Sequence, residues 1–161
     1  MKALVMSDSH GDMAGLRWIL GQARMRTGKV DAYIHLGDGA GDFRALETYM
    51  HSLDPEAQLW QVRGNCDFTG DVPGFLIQPF GGTQIYMTHG HHQMVKTTLE
   101  YLDEEASGYA CSIALYGHTH MPAMDMGRVL KINPGSVQDG RIAFLEVEAG
   151  RPRVQLWNYG G

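Results

Sequence analysis

Five short runs of this chain combine carboxylate, amide or imidazole side chains with glycine: Ser7-Asp8-Ser9-His10-Gly11-Asp12, His35-Leu36-Gly37-Asp38-Gly39, Arg63-Gly64-Asn65-Cys66-Asp67, Thr88-His89-Gly90-His91-His92 and Tyr116-Gly117-His118-Thr119-His120. These are oxygen and nitrogen donors suited to divalent first-row metals, and no paired thiolates mark a closed structural zinc site. The count allows three or four ligands on each of two ions with one carboxylate shared, which leaves positions free for water and substrate. Two ions about 3.5–4 Å apart can clamp the attacking and leaving oxygens of an in-line displacement.

Side chains so far apart in sequence must be brought together by the fold, and each run follows a β-like stretch. Lys2–Met6 precedes the first, Ala32–Leu36 the second and Gln58–Val62 the third. A hairpin of Phe75–Pro79 and Gln84–Thr88 about Gly81-Gly82 precedes the fourth, and Ser112–Tyr116 precedes the fifth. In α/β sheets, ligands gather beyond the carboxyl ends of the strands. Met13, Leu16, Leu20 and Ala23 share one face of a helix over Asp12–Met25, capped by Asp12. Asp42 is placed to cap a second helix, running to Leu53, that carries Phe43, Leu46 and Met50; Val95, Leu99, Leu102 and Ala106 mark a third. Val129–Ile132, Ile142–Val147 and Arg153–Trp157 read as antiparallel strands. So many strands in a short chain imply a largely parallel α/β arrangement folded as two packed sheets with helices outside.

A length of 161 residues suits a single domain spanning 1–161, and 43% hydrophobic with 19% charged residues excludes a largely disordered chain. A net charge of −5, with basic residues scattered singly, argues against long nucleic acid as a partner. Apolar runs are too short for a membrane span, so no membrane partner is expected. Two cysteines cannot build a disulfide framework, and Met1–Met6 lacks the features of a secretory signal, so a reducing, cytoplasmic setting is expected. Cys111 reads as a small core residue. His35 and His51 read as structural or surface residues, and one of His91 and His92 is expected in the pocket. Asn133-Pro134-Gly135-Ser136 reads as a turn closing one rim of it.

Taken together, Asp8-x-His10, Gly37-Asp38, Gly64-Asn65-x-Asp67, His89-Gly90-His91 and Gly117-His118-x-His120 resemble the calcineurin-like metallophosphoesterases. Arg-Gly-Asn-Cys-Asp at 63–67, Gly-His-Thr-His at 117–120 and Ile-Asn-Pro-Gly-Ser at 132–136 are similar to the small YfcE-type phosphodiesterase branch. The resemblance implies a four-layer αββα sandwich of two mixed β-sheets flanked by helices. It also implies that Asp8, His10 and His120 bind one metal, that Asn65, His89 and His118 bind the other, and that Asp38 bridges them. Manganese is the first choice, with iron, nickel, zinc and magnesium compatible.

Many phosphomonoesterases of the wider family carry histidine at the position of Cys66. A neutral thiol neither partners the extra charge of a monoester nor protonates its leaving group well, so the expected activity is hydrolysis of small phosphodiesters, with weak monoesterase activity. In that chemistry a hydroxide shared by the metals attacks phosphorus in line, the ions and Asn65 hold the non-bridging oxygens, Asp67 orients a neighbouring group, and His91 contacts substrate or donates a proton. The rival readings are a phosphomonoesterase, a nucleotide pyrophosphatase, or a non-catalytic protein-interaction scaffold of the retromer-subunit type. Aromatic residues in the Phe68–Phe80 segment or the Trp157–Tyr159 tail would suit a homodimer or higher homo-oligomer.

Overall fold

Along the first strand Ala3 and Val5 point one way and Leu4 and Met6 the other, yet all four are fully buried. A strand with that pattern must be covered on both faces. In the computed structural model, which describes residues 1–68 and 70–160, the two coverings are a helical layer and a second sheet. The strands in chain order are β1 (Lys2–Met6), β2 (Ala32–His35), β3 (Gln58–Gln61), β4 (Phe75–Phe80), β5 (Thr83–Thr88), β6 (Ile113–Leu115), β7 (Ala123–Met126), β8 (Leu130–Asn133), β9 (Arg141–Glu148) and β10 (Arg151–Asn158). The helices are α1 (Met13–Thr27), α2 (Ala40–Ala45), α3 (Glu47–Leu53) and α4 (Glu100–Gly108).

One sheet runs β10-β9-β1-β2-β3 and the other β4-β5-β6-β8-β7. In the first, β1, β2 and β3 are parallel and β9 and β10 antiparallel; in the second, β5, β6 and β8 are parallel, with β4 and β7 antiparallel at the edges. The inner faces meet through Val5, Ile34 and Leu36 on one side and Ile85, Met87, Leu115 and Ile132 on the other. Leu16, Ile19, Leu20 and Ala23 of α1, with Phe43 and Met50, cover the outer face of the first sheet against Leu4, Met6 and Tyr33. Leu102 and Ala106 of α4 cover Tyr86, Ala114 and Tyr116 of the second. Each such side chain contributes roughly 1.5–3 kcal/mol by leaving water. The fold is the αββα sandwich, with both sheets mixed.

Asp12 caps α1 as expected, accepting from the Gly15 N–H at 2.9 Å. Asp42 does not cap a helix. The second helix begins at Ala40 with Gly39 as its N-cap, and the Asp42 carboxylate instead accepts from Ser9 Oγ at 2.7 Å and Gly11 N at 2.9 Å. A bond across to the β1 loop has displaced the local cap. The same segment is broken at Leu46 into α2 and α3, which lets both Phe43 and Met50 reach the core. The third helix starts only at Glu100, after turns containing Val95 and Leu99. The tail strands do not form one unit: β9 and β10 pair in the first sheet, while β8 joins the second between β6 and β7. β7 was absent from the sequence expectation because its residues Ala123-Met124-Asp125-Met126 are half-buried or exposed and lack apolar alternation. Trp157 is not a free surface aromatic, since it is 8% exposed and stacked on Phe144. Phe68 is 96% exposed.

Candidate metal centre

Beyond the strand ends the backbone keeps pairing and thereby aligns four of the five loops, two by two. Asp8 N donates to Gly37 O at 3.0 Å, His10 N to Asp38 O at 2.8 Å and Gly117 N to His89 O at 2.9 Å. Asp8, His10, Asp38, His118 and His120 all have left-handed backbone, with φ of 57°, 47°, 58°, 71° and 63°. L-residues adopt this region at a cost of about 1–2 kcal/mol, and such strain collects at functional sites. Among the described non-glycine residues with positive φ, these five outnumber the remaining three. Gly37 is required for the same turn: its φ is +104°, and a Cβ there would lie 2.7 Å from both Gly64 N and His89 Nδ1.

The two buried carboxylates are divided in the same way. Asp8 Oδ2 accepts from Ser7 Oγ at 2.6 Å and His118 N at 3.1 Å, which leaves Oδ1 facing His120 Nε2 at 3.1 Å and His10 Nε2 at 3.3 Å. Asp38 Oδ1 accepts from Cys66 N at 2.7 Å, while Oδ2 faces His89 Nε2 at 3.2 Å and His10 Nε2 at 3.8 Å. One oxygen of each is thus tied to protein and the other turned toward imidazole. His10 Nε2 and His120 Nε2 lie 3.2 Å apart. For ligand bonds of about 2.0–2.2 Å, adjacent donors around one ion sit roughly 3.0–3.6 Å apart; the 3.1–3.3 Å spacings fall in that range, and the 3.8 Å between His10 and Asp38 lies just outside it.

Donor atoms converge in three groups, each within 4.8 Å: Asp8, His10 and His120; Asp38, His89 and His118; and His10, Asp38 and Cys66. His89 supplies an independent test of fit. Its Nδ1 donates to Leu36 O at 2.7 Å, which places the lone pair on Nε2. That Nε2 is buried without a hydrogen-bond partner, and a buried polar atom of this kind calls for a ligand. The donor set fits divalent metal.

A further layer holds the loops. Asp67 accepts from the backbone N–H groups of Asp38 at 2.8 Å, Gly64 at 2.9 Å, Gly39 at 3.0 Å and Ala40 at 3.1 Å. Its carboxylate is therefore spent on backbone, in keeping with an orienting residue. Gly37 N donates to His35 Nδ1, so His35 Nε2–H donates to Ser9 Oγ at 3.0 Å, and Ser9 donates on to Asp42. The Asn133–Ser136 turn does not form a pocket rim. It is buried, with Asn133 Nδ2 donating to Gly117 O at 3.1 Å and Ser136 Oγ to Asp8 O at 2.8 Å, clamping two ligand loops. The supporting bonds of Ser7 and Ser9 are not legible in the sequence, because a serine in a turn carries no pattern that names its partner.

Charge follows the geometry. Burial alone would raise the Asp38 carboxyl, but His89 and the Cys66 N–H outweigh it and hold it well below the usual range. Burial lowers His89, and Asp38 with Asp8 reverses this to a net rise. His35 is pushed down to about 4 by complete burial, against the pull of Asp8, Asp67 and Asp42. His91 falls to about 4 through burial and the neighbouring His92, His89 and His118, and His118 falls by burial and His89. Burial and nearby Asp38 push the Cys66 thiol up.

Asn65 and Cys66 are exposed at the mouth, with Asn65 Nδ2 only 3.7 Å from Cys66 Sγ. His91 stands with its ring centroid 5.4 Å from His89 and 6.2 Å from His118, and its buried Nδ1 lacks a hydrogen-bond partner among the described residues; His92 is exposed, its ring tilted 37° against that of His91. His91 is therefore the member of the pair that faces the ligands. A cleft of about 330 Å³ lined by His10, Asp38, Asp42, Cys66 and Asp67 opens beside them. A larger groove of about 690 Å³ between α1 and α3 contains none of the candidate ligands.

The model of the calcineurin-like phosphoesterase superfamily domain matches residues 1–149. This chain belongs to that superfamily. It is 34% identical over 168 residues to a Bacillus subtilis protein named probable metallophosphoesterase YsnB, covering 100% of this chain and 93% of the relative. A crystal structure of a Streptococcus pneumoniae protein described as a predicted phosphoesterase is 31% identical, with a TM-score of 0.76 over 98% of this chain and 88% of that one. A novel archaeal phosphodiesterase shares the fold at a TM-score of 0.72 and 24% identity, over 98% of this chain and 100% of its own. Membership makes this calcineurin-like protein a hydrolase of the metallophosphoesterase type.

Proposed function

We propose that this protein is a dinuclear-metal phosphodiesterase acting on small phosphodiesters, with weak activity on monoesters. The observation that carries the proposal is the presence of two donor groups, Asp8, His10 and His120 beside Asp38, His89 and His118, with the buried His89 Nε2 facing Asp38 but lacking a hydrogen-bond partner among the described residues. Asp8, His10 and His120 would hold one divalent ion, Asn65, His89 and His118 the other, and Asp38 both. When bound, such a pair polarises phosphoryl oxygens and lowers the pKa of a coordinated water from about 15.7 toward about 7.

The chain's own residues do the rest. Asp67, through its backbone bonds, keeps Asp38 and Gly64 in register, and Ser7 and Ser136 fix the Asp8 loop. Asn65 would hold a non-bridging oxygen, and His91, whose ring lies 5.4 Å from that of His89, would contact the substrate. At position 66 a thiol offers no cation to the second negative charge of a monoester, which favours diesters. Manganese is the ion of first choice. The name of the archaeal neighbour, a phosphodiesterase, agrees with the diester reading.

The test is a manganese-loaded assay of bis(p-nitrophenyl) phosphate beside p-nitrophenyl phosphate, with metal analysis of the same sample. Turnover of the diester, near silence on the monoester and about two ions per chain are expected. Preference for the monoester would overturn the diester assignment. Fewer than about one ion per chain, without rescue by added manganese, would favour the scaffold reading.

A further inference from the structure

We infer that Cys66 gives this centre a second mode of cation binding, in which a thiophilic divalent ion is held jointly by Cys66, His10 and Asp38 and inhibits the enzyme. The inference rests on the metal centre proposed above and adds a ligand that neither of its two donor groups uses.

The donor atoms of His10, Asp38 and Cys66 lie within 4.8 Å of one another, the same criterion met by the other two groups. Cys66 is held at this distance by its backbone, whose N–H donates to Asp38 Oδ1 at 2.7 Å. Its thiol is exposed and makes one weak contact, with Asn65 Nδ2 at 3.7 Å, so rotation about a single bond suffices to aim it. The adjoining cleft is lined by Asp38, Asp42 and Asp67 and by no lysine or arginine, an environment suited to a cation and hostile to a second anion. Asp42 and Asp67 already accept hydrogen bonds from Ser9, Gly11 and four backbone N–H groups. The side-chain donor atoms on this wall that accept no backbone N–H are therefore His10 Nε2, Asp38 Oδ2 and Cys66 Sγ.

Sulfur decides which ion uses them. Thiolates favour zinc-class ions, whereas manganese and magnesium favour oxygen donors. A hard ion leaves the Cys66 thiol protonated. A thiophilic ion forms a bond to sulfur as the thiol proton passes to water, with no change of oxidation state. His10 is shared with the Asp8 and His120 group and directs one nitrogen to the centre, so binding to the Cys66 face draws it, with Asp38, out of the arrangement needed for hydrolysis. Metals that fit the overall donor set thus divide into those that support turnover and those that block it.

Cadmium ion is the probe. The full-length, manganese-loaded protein is titrated with Cd²⁺ while the ultraviolet thiolate-to-cadmium charge-transfer absorption and the manganese electron paramagnetic resonance signal are followed together. Wild type should develop the charge-transfer band as bound manganese is displaced; Cys111→Ser should behave alike, and Cys66→Ser should lack the band and bind cadmium at least about tenfold more weakly. A cadmium NMR shift in the sulfur-ligated range tests the wild type without relying on any variant. Cadmium binding without a charge-transfer band, or an undiminished band in Cys66→Ser, would overturn the proposal. Failure of wild type to bind manganese would instead overturn the dinuclear reading, while the band still reports on the Cys66 site.

Discussion

Replacing Asp67 by asparagine tests whether the loops bearing Asp38 and Asn65 are held by one half-buried acceptor. The Asp67 carboxylate accepts four backbone N–H groups, with Oδ2 taking Asp38 and Gly64 and Oδ1 taking Gly39 and Ala40. The amide of Asp67→Asn retains one oxygen and presents an NH₂ group to the other pair, setting donor against donor. Two charge-assisted bonds are lost at about 1.5–3 kcal/mol each, and water entering from the partly open side recovers some of it. The expected loss is about 2–4 kcal/mol, a fall of roughly 5–15 °C in Tm for a domain of this size. Because either pair includes a backbone N–H of the Asp38 loop, Asp38 N or Gly39 N, manganese affinity should fall together with Tm. Thermal unfolding by circular dichroism and manganese titration by paramagnetic resonance measure the two effects. Asp71→Asn, at an exposed carboxylate paired with Arg44, is the control and should change stability by less than about 1 kcal/mol. An Asp67→Asn protein that melts within about 1 °C of wild type and keeps its manganese affinity would refute the reasoning.

Asp38→Asn should abolish diester turnover and weaken manganese binding by more than about a hundredfold, beyond what loss of an outer supporting group costs; calorimetric titration and the chromogenic assay check both. Gly64→Ala would set a methyl against Asp38 Oδ1 and the Asp38 backbone N, with Cγ at 2.8 Å, costing about 1–3 kcal/mol and displacing the Asp38 carboxylate, visible as reduced manganese occupancy in a folded protein. Lys131, 2% exposed and bonded to Asp103 at 2.5 Å, should cost about 2–4 kcal/mol in urea unfolding when changed to alanine, and less as Lys131→Met, which refills the space. Burial pushes the Asp103 carboxyl up, but the Lys131 ammonium and the Val129 and Arg128 N–H groups outweigh it and lower its pKa. Its contribution is therefore complete above about pH 5 and lost as pH falls below about 4, so the stability gap between wild type and Asp103→Asn should close on acidification.

The contrast between Asp8 and Asp42 shows how far local pattern reaches. Both are aspartates near glycine after a strand, and both are turn-compatible by type. Asp8 could be marked as a ligand because its motif recurs in register with four others, whereas Asp42 was assigned to a cap by spacing alone. The structure spends Asp42 on Ser9 and Gly11, residues of a different loop whose proximity arises from the parallel pairing of β1 with β2. His35 was legible as structural because it sits inside a strand pattern, but its chain through Ser9 to Asp42 was not.

Residue type and strand-end position alone were enough to single out the candidate donor residues and to suggest two packed sheets, since hydrophobic alternation and ligand chemistry are local properties; the division of those donors between two ions and the meaning of Cys66 came from the family resemblance. Which carboxylate oxygen faces the imidazoles, which of His91 and His92 turns inward, the seating of β8 away from β9, and the left-handed turns under five of the candidate ligands depended on the folded chain. Those features depend on hydrogen bonds and packing between segments as far apart as Asp8 and His120, where the energy of one residue is set by neighbours that its own stretch of sequence does not contain.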